Sequence, residues 1–247
     1  MRRASVSVAG LRTAVTAFMV VLAGLSGGCA TTGVARQDDP RDPLEGFNRA
    51  MFSFNEGFDT VLLKPVAKGY DVVMPLPVKT GVANFFGNIA DVFIGVNDLL
   101  QGKPGDAVGD AGRFIFNSTF GVLGLFDFAS TIGLDKHDED FGQTMGRWGM
   151  GPGPYLVVPV FGPRDMRDAA GLALDIEADP VGHLSDVPVR NSLTAVRFVS
   201  IRADLLPADK IIEEAALDKY SYIRDAYLQR RRSQVYDGHP PPEPDDE

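Results

Sequence analysis

The chain of 247 residues is poor in the side chains that carry most metal and redox chemistry. It has one cysteine, Cys29, and therefore cannot form an internal disulfide bond. Its three histidines, His137, His183 and His239, are widely separated, and none has a second histidine at the spacing of a metal site. We therefore predict no metal site, and we interpret the stretch HDED, residues 137–140, as a solvated loop.

The usual signatures of catalysis are also missing. The sequence has no G-x-S-x-G nucleophile elbow and no G-x-x-x-x-G-K-[ST] phosphate loop. The glycine-rich stretch GMGPGPY contains prolines, which remove amide donors from a phosphate cradle. His183 and Asp186 could be drawn as a base and its orienting acid. The one thiol of the chain, Cys29, is not available as a nucleophile, because the lipidation predicted below would consume it. We predict no enzymatic activity and no cofactor.

The charge of the chain excludes further classes of function. Acidic residues number 33 and basic residues 24, which gives a formal net charge of −9. An acidic surface argues against nucleic acid as a partner and against simple electrostatic adhesion to anionic lipid. Beyond the N-terminus there is no apolar run of about 18 residues, because the longest candidates, such as DVFIGVNDLL, contain Asn97 and Asp98.

The N-terminus has the parts of a secretory signal: an arginine-containing start, a short apolar core over residues 14–25, and small residues before Cys29. We predict that residues 1–28 are a cleaved lipoprotein signal peptide and that Cys29 carries acyl chains such as palmitate. An ordinary cleaved signal with a stray cysteine is the alternative, because Ser26 stands where lipoprotein signals usually have leucine. Ala30, and not aspartate, follows the cysteine, which resembles the pattern of outer-membrane lipoproteins.

The rest of the chain divides into three segments. Residues 29–42 form a lipidated polar tether, residues 43–237 a helical domain, and residues 238–247 a disordered tail rich in proline and acidic residues. Amphipathic spacing predicts helices over most of the domain. We expect Gly87 and Gly95 to break the long helix that ends near residue 101.

The stretch DPLEGFNRAMFSFNEGFD, residues 42–59, predicts the first helix of the domain. Asp42, Pro43 and Glu45 suit its first turn. Large apolar side chains then recur on one face at helical spacing, at Phe47, Met51, Phe54, Phe58 and Leu62. Periodicity favours a protein core behind this face. A helix tethered about a dozen residues from a lipid anchor could instead bury it among acyl chains, so both alternatives stay open.

The segment from Gly142 to Pro163 is crowded with glycine and proline around the β-prone stretch YLVVPV. It predicts an extended loop or hairpin and not a helix. A C-terminal helix from about Leu193 to Tyr236 follows, interrupted near Pro207. It carries Arg230–Arg232 near its end, where cations complement the helix dipole or contact lipid headgroups or a partner.

Several stretches, in order, resemble one family, the MlaA (VacJ) outer-membrane lipoproteins. They are DPLEGFNRAMFSFN (42–55), NDLLQGKP (97–104), RFIFNSTFGVLGLFD (113–127), EDFGQTMGRWGMGPGPYLVVPVFGP (139–163), MRDAAG (166–171) and YSYIRDAYLQRR (220–231). The resemblance covers nearly the whole mature chain, and DPLEGFNR and DFGQT…GPY are its most specific motifs. The stretch DPVGHLSDVPVRNS (179–192) carries none of it.

The resemblance implies a mainly α fold: a ring-shaped bundle of amphipathic helices embedded in one membrane leaflet, the inner leaflet of a Gram-negative outer membrane, with a Gly/Pro-rich loop or hairpin. It implies a passive channel that takes mislocalised phospholipids from the outer leaflet to the periplasmic carrier MlaC, usually bound to a trimeric porin. Moving a bare phospholipid of roughly 30 chain carbons through water costs on the order of 24 kcal/mol, so an apolar path is needed. A structural envelope lipoprotein that scaffolds a porin complex is the alternative.

Five residues are candidates for lining or gating such a channel: Phe47, Asn48, Phe54, Phe141 and Tyr155. We expect Tyr155 to offer an amphipathic ring where acyl chains meet headgroups. We also expect the Gly/Pro-rich segment around it to shift between at least two positions as lipid passes. A static surface loop is the alternative for this segment.

Overall fold

The computed structural model describes residues 39–242. The predicted signal peptide, the lipidation site Cys29, most of the tether and residues 243–247 of the tail lie outside the described residues. Helices dominate the described part, which confirms the predicted mainly α fold. The ring shape and the embedding in a membrane leaflet stay predictions.

The elements follow one another in a simple order. The first half of the domain contains α1 (Glu45–Phe58), a π-helical turn (Asp59–Leu63), α2 (Lys64–Val73), α3 (Leu76–Gln101) and α4 (Pro104–Thr119). Two short helices, α5 (Phe128–Thr131) and α6 (Phe141–Arg147), precede the strands β1 (Tyr155–Val158) and β2 (Gly162–Asp165). The chain then forms α7 (Met166–Ala178), a 3-10 turn (Pro180–His183), α8 (Val187–Asp204), α9 (Leu206–Ala215) and α10 (Lys219–Val235).

The longest helix, α3, continues through Gly87 and Gly95, so the expected break is wrong. Gly95 lies where α4 packs against α3: a Cβ atom added there would sit 3.3 Å from the backbone oxygen of Ala107. The missing side chain therefore allows the two helices to approach closely. This packing compensates for the low helix propensity of glycine.

The Gly/Pro-rich segment contains a hairpin, as predicted, but it begins within a helix. Strands β1 and β2 pair antiparallel, with Tyr155 opposite Asp165. The expectation of no helix is wrong for residues 142–147, which belong to α6. The side chain of Asp140 accepts a hydrogen bond from the backbone of Gln143 (2.8 Å) and caps this helix at its N-terminus.

The C-terminal helix predicted from about Leu193 consists of three helices. The first, α8, starts earlier, because Asp186 caps it by accepting a hydrogen bond from the backbone of Val189 (3.0 Å). The interruption near Pro207 is confirmed, since α8 ends shortly before it and Pro207 lies in the first turn of α9. A further break separates α9 from α10.

The interior of the described part is unusually polar. Among residues 39–242, 18 polar or charged residues are buried against 12 apolar ones, and large apolar side chains are exposed on nearly every helix. In water-soluble domains charged residues are rarely buried and exposed apolar patches are small. The distribution of polar and apolar side chains between interior and surface is therefore inverted relative to that of a water-soluble domain. No helix within these residues combines the length and the apolar character that crossing a bilayer requires.

Candidate functional site

Two asparagines of α1 attach this helix to the hairpin. The side chain of Asn48 donates to the backbone oxygen of Tyr155 (3.0 Å) and accepts from the backbone N–H of Val157 (2.9 Å). Asn55 makes the same pair of bonds three residues further along the hairpin. Its side chain donates to the backbone oxygen of Val158 (3.0 Å) and accepts from the backbone N–H of Val160 (2.7 Å). Seven residues of helix rise about 10.5 Å and three residues of strand about 10 Å, so the two spacings match.

This docking turns part of the apolar stripe of α1 away from the core. Phe52 packs edge-on against Tyr220, with ring centroids 5.7 Å apart, and Met51 joins the same core. Phe47 and Phe54, in contrast, are 40% and 52% exposed. The apolar stripe of α1 is therefore split. Met51 faces the protein core, whereas Phe47 and Phe54 face outward.

Exposed apolar side chains continue along the next helices. In α3 and α4 they recur at helical spacing, so each helix has an apolar stripe on one face. We call the exposed side chains of α1 to α4 the apolar surface, and its members include Phe47, Phe54, Val61, Leu62, Val66, Val72, Val73, Leu76, Val92, Val96, Leu99, Leu100, Val108 and Ile115. Surfaces of this kind mark contacts with membranes or with partner proteins.

The loop after α4, residues 120–126, adds five exposed apolar side chains and is strained. Val122 and Leu123 have φ values of 53° and 58°, a conformation that is unfavourable for branched side chains. Gly124 follows with φ of 88°, and a Cβ atom added there would lie 2.5 Å from the Cβ of Asn88. Because strain of this kind concentrates at functional sites, the loop is a further candidate contact surface.

Buried charges lie between α3 and α4, away from the apolar stripes of these helices. Arg113 donates two hydrogen bonds to the carboxylate of Asp127 (2.9 and 3.0 Å) and lies 3.6 Å from Asp91, which also pairs with Lys136. Burial raises the pKa of Asp91. Burial opposes ionisation of Asp127 too, but hydrogen bonds from Ser130 and Arg113 outweigh it and hold the pKa at about 2. These helices therefore present charge inward and apolar side chains outward.

Tyr155 does not lie where the sequence interpretation placed it. Its side chain is 1% exposed, and its ring packs against Tyr220 and Tyr227 with centroids 6.2 and 6.1 Å apart. The expectation of a ring where acyl chains meet headgroups is therefore wrong. It failed because alternation along YLVVPV cannot tell which face of a strand points to the core.

The other candidates lie on two separate elements. Phe47 and Phe54 share the outward edge of α1, and Asn48 lies fully buried behind them, bonded to the strand that carries Tyr155. Phe141 begins α6 and packs edge-on against Trp148, with centroids 5.9 Å apart. The structure thus brings four of the five candidates to the junction of α1 with the hairpin, and their gating role stays a prediction.

Of the three arginines near the end of α10, Arg231 joins three helices. Its guanidinium lies 2.5 Å from the carboxylates of Asp140 and Asp168, and its side chain is 9% exposed. It thereby connects α10 to the N-terminus of α6 and to α7. Arg230 is 74% exposed and lies 3.6 Å from Asp138. Neither the helix dipole nor an external contact accounts for Arg231, because its partners are internal carboxylates.

Residues 137–140 form a loop, as predicted, but the side chain of His137 is only 30% exposed and has an internal partner. Its Nδ1 atom lies 3.1 Å from both carboxylate oxygens of Asp110, and Asp98 is buried beside them. Burial lowers the pKa of His137, but the hydrogen bond and charge of Asp110 outweigh it and raise the pKa above its usual value. One signal of this cluster is visible in the sequence, since Asp98 lies within the apolar stretch DVFIGVNDLL.

An apolar exterior, a charged interior and a hairpin attached to the first helix define a helical protein built for apolar contact. Comparison with known proteins shows its family. The family model described as MlaA lipoprotein matches residues 40–234. The chain belongs to the MlaA lipoprotein family.

Relatives of known name cover most of the chain. The intermembrane phospholipid transport system lipoprotein MlaA of Escherichia coli (strain K12) is 34% identical over 207 residues, which are 82% of this chain and 81% of the relative. The protein of that name from Haemophilus influenzae is 32% identical over 228 residues, 88% of this chain and 91% of the relative. A solved structure, from work on the structural basis for maintenance of bacterial outer membrane lipid asymmetry, matches with a TM-score of 0.69 at 33% identity, over 78% of this chain and 98% of that chain. The family resemblance seen in the sequence is confirmed.

Proposed function

We propose that this chain is a passive phospholipid-transfer lipoprotein of the outer membrane. It takes mislocalised phospholipids from the outer leaflet and passes them to a periplasmic carrier, which maintains lipid asymmetry. The names of its relatives supply the class of substrate. The observation that carries the proposal for this chain is its inverted surface, with large apolar side chains outside and paired charges inside.

The inverted surface supports contact with acyl chains. Each methylene moved from water into hydrocarbon contributes about 0.8 kcal/mol, so the apolar surface favours a position among lipid tails. Charges are costly in hydrocarbon and face the interior of a bundle when they occur there. The ion pair of Arg113 with Asp91 has this position between α4 and α3. In the proposal the domain lies in the inner leaflet, and its polar interior borders a path for headgroups.

The proposed anchor is Cys29 as the lipidated mature N-terminus. One acyl chain gives only marginal membrane binding, so several chains are needed to hold the protein. Cys29→Ala is expected to leave an unprocessed or mislocalised precursor, which fractionation and mass spectrometry detect. An unmodified mature Cys29 in the outer membrane would contradict this step.

The proposed gate is the junction of α1 with the hairpin. Asn48 transmits a shift of the hairpin to α1, whose outward edge carries Phe47 and Phe54. Tyr155 holds β1 in the core from the other side, and Phe141 lies on α6, which leads into the hairpin. The lipid moves along its own free-energy gradient, and the protein performs no enzymatic reaction. A trimeric porin and the carrier MlaC are the proposed partners.

The proposal is tested in bacteria that lack this chain. Outer-leaflet phospholipid is measured by labelling intact cells with a membrane-impermeant amine reagent. Deletion is expected to raise the labelled lipid, and the full chain is expected to restore the low level. Labelling unchanged by deletion would contradict the proposal.

A double variant separates transfer from the scaffolding alternative. Phe47→Ser with Phe54→Ser alters exposed rings only, so its abundance and its recovery with a porin should match wild type. Transfer predicts that this variant fails to restore asymmetry. A scaffold that only holds a porin complex predicts full restoration. Thr194→Ala, an exposed change on α8, is the control.

A further inference from the structure

Asp98, Asp110 and His137 form a cluster that lipid transfer does not use. One nitrogen or oxygen atom from each residue lies within 4.8 Å of the other two. Asp98 belongs to α3, Asp110 to α4, and His137 to the loop before α6. Both aspartates are at most 1% exposed. Three separate segments of the chain therefore bring ionisable groups to one buried point.

One carboxylate oxygen of Asp98 lacks a hydrogen-bond partner at this point. This atom, Oδ2, is buried and has no hydrogen-bond donor within residues 39–242. Lys103, the cation whose charge acts on Asp98, pairs directly with Glu139 and Asp237. Two buried carboxylates side by side are unfavourable unless a proton or a cation lies between them.

We propose that Asp98, Asp110 and His137 bind one divalent transition-metal ion of the class represented by Zn²⁺. Carboxylate oxygen and imidazole nitrogen are usual zinc ligands, whereas Ca²⁺ and Mg²⁺ prefer oxygen alone. The 3.1 Å between His137 Nδ1 and the Asp110 oxygens gives an angle of roughly 95° at an ion about 2.1 Å from each. A water molecule can fill a fourth position.

The geometry requires a small contraction on binding. Tetrahedral ligands of zinc are about 3.4 Å apart, so the widest separation in the cluster, within 4.8 Å, has to close by roughly 1.4 Å at most. The unpartnered oxygen of Asp98 can make this movement without breaking a hydrogen bond.

Asp106 lies behind the histidine and is a positioning residue. The Nε2 atom of His137 lies 3.9 Å from a carboxylate oxygen of Asp106. Metal-bound histidines usually donate their other N–H to a carboxylate, which fixes the orientation of the ring. His137 thus has one nitrogen toward the two buried aspartates and the other toward the orienting acid.

The test uses the full lipidated chain in detergent, stripped with EDTA and titrated with ZnCl₂. We expect one zinc ion per chain to remain bound after desalting, as measured by inductively coupled plasma mass spectrometry. We also expect zinc in excess to raise the melting temperature by several degrees, because the ion binds the folded state. CaCl₂ should cause neither effect.

Matched variants locate the site. Asp98→Asn and His137→Gln are expected to lose the bound zinc, whereas His183→Gln and Asp135→Asn are expected to keep it. Asp106→Asn should weaken zinc affinity about 10- to 100-fold, as loss of an orienting carboxylate does. Since the imidazole of His137 is 30% exposed, His137→Gln leaves the test valid if Asp98→Asn does not fold.

Three results would overturn the proposal. The first is a wild-type chain that retains no zinc, and the second is equal zinc in His137→Gln and His183→Gln. The third is an Asp98→Asn variant that melts above wild type while zinc has no effect on either. This third result would show that the two aspartates share a proton. None of these outcomes bears on lipid transfer, so the two proposals can fail separately.

Discussion

Asn48 and Asn55 lie seven residues apart on α1, and each exchanges two hydrogen bonds with the backbone of the hairpin. Their amides serve the hairpin as the backbone of a third strand would, because a carboxamide both donates and accepts. The rings of Phe47 and Phe54 point outward from the same helix. The position of the hairpin and the orientation of these rings are therefore linked through α1.

Asn48→Ala is expected to lower the free energy of unfolding by about 2–3 kcal/mol, because it leaves the backbone N–H of Val157 buried without an acceptor. Asn48→Asp keeps that acceptor but loses the donors to Asp42 and Tyr155, so we expect at least the same loss. Urea unfolding in detergent measures both. Asn191→Ala, at an exposed position of α8, is the control. Equal stability of all three variants would show that the amide does not hold the hairpin.

Arg231→Ala is expected to destabilise the protein by about 3 kcal/mol, because it removes the cation that pairs with the helix-capping Asp140 and one of the two cations that pair with the buried Asp168, which keeps Arg167. Arg230→Ala is the matched control on the next residue, and we expect a change of less than about 0.5 kcal/mol from this exposed side chain. Thermal unfolding of the two variants and the wild type measures both changes in stability. The same shift in both would mean that Arg231 does not join the helices.

Asp175→Asn tests a pH dependence of stability. Burial, and then the charge of Asp140, raise the pKa of Asp175 to about 6 from 3.8. The stability that this group contributes is therefore present in full below about pH 4 and is lost as the pH rises to 6. Asparagine cannot ionise and can still accept the hydrogen bond from Phe141. We expect the variant to gain on the order of 1–3 kcal/mol over wild type between pH 4 and pH 7.5. A gain in stability that is the same at every pH would show that ionisation of Asp175 is not its cause.

Local patterns predicted the elements that depend on neighbouring residues. Helical spacing predicted α1, the turn chemistry of the Gly/Pro-rich segment predicted the hairpin, and Pro207 marked the end of α8. Capping by Asp140 was readable in principle. The glycines after it favoured a loop instead, because propensity alone does not register the packing of α6 against α7 and Arg231.

The candidate site depends on contacts between distant residues, which a single sequence does not encode locally. Asn48 and Val157 are 109 positions apart, and His137 and Asp110 are 27 apart. Phe47, Met51 and Phe54 share one stripe in the sequence, and only the docking of the asparagines decides which of them face outward. The same limit explains why Tyr155 was placed at a surface although it lies in the core.

A reversible cross-link tests whether the hairpin moves during transfer. Asn55→Cys with Val160→Cys places two thiols where the native side chain and backbone are hydrogen-bonded at 2.7 Å. We expect bridging by a reducible bis-methanethiosulfonate reagent to stop removal of outer-leaflet phospholipid, and a reductant to restore it. The unbridged double variant is the control, and it must itself support removal. Full activity with the bridge verified as closed would show that this movement is not needed.

The central claim is that the apolar surface contacts phospholipid, and site-specific photocrosslinking in the outer membrane tests it most directly. Benzoylphenylalanine is placed at Phe54 of the apolar surface or at Phe126 of the adjoining loop 120–126, both exposed, and at the exposed polar position Gln229 as control. After irradiation, mass spectrometry identifies the adducts. The account predicts phospholipid adducts at Phe54 and Phe126 well above the yield at Gln229. Adducts to protein alone, or equal lipid yields at all three positions, would contradict it.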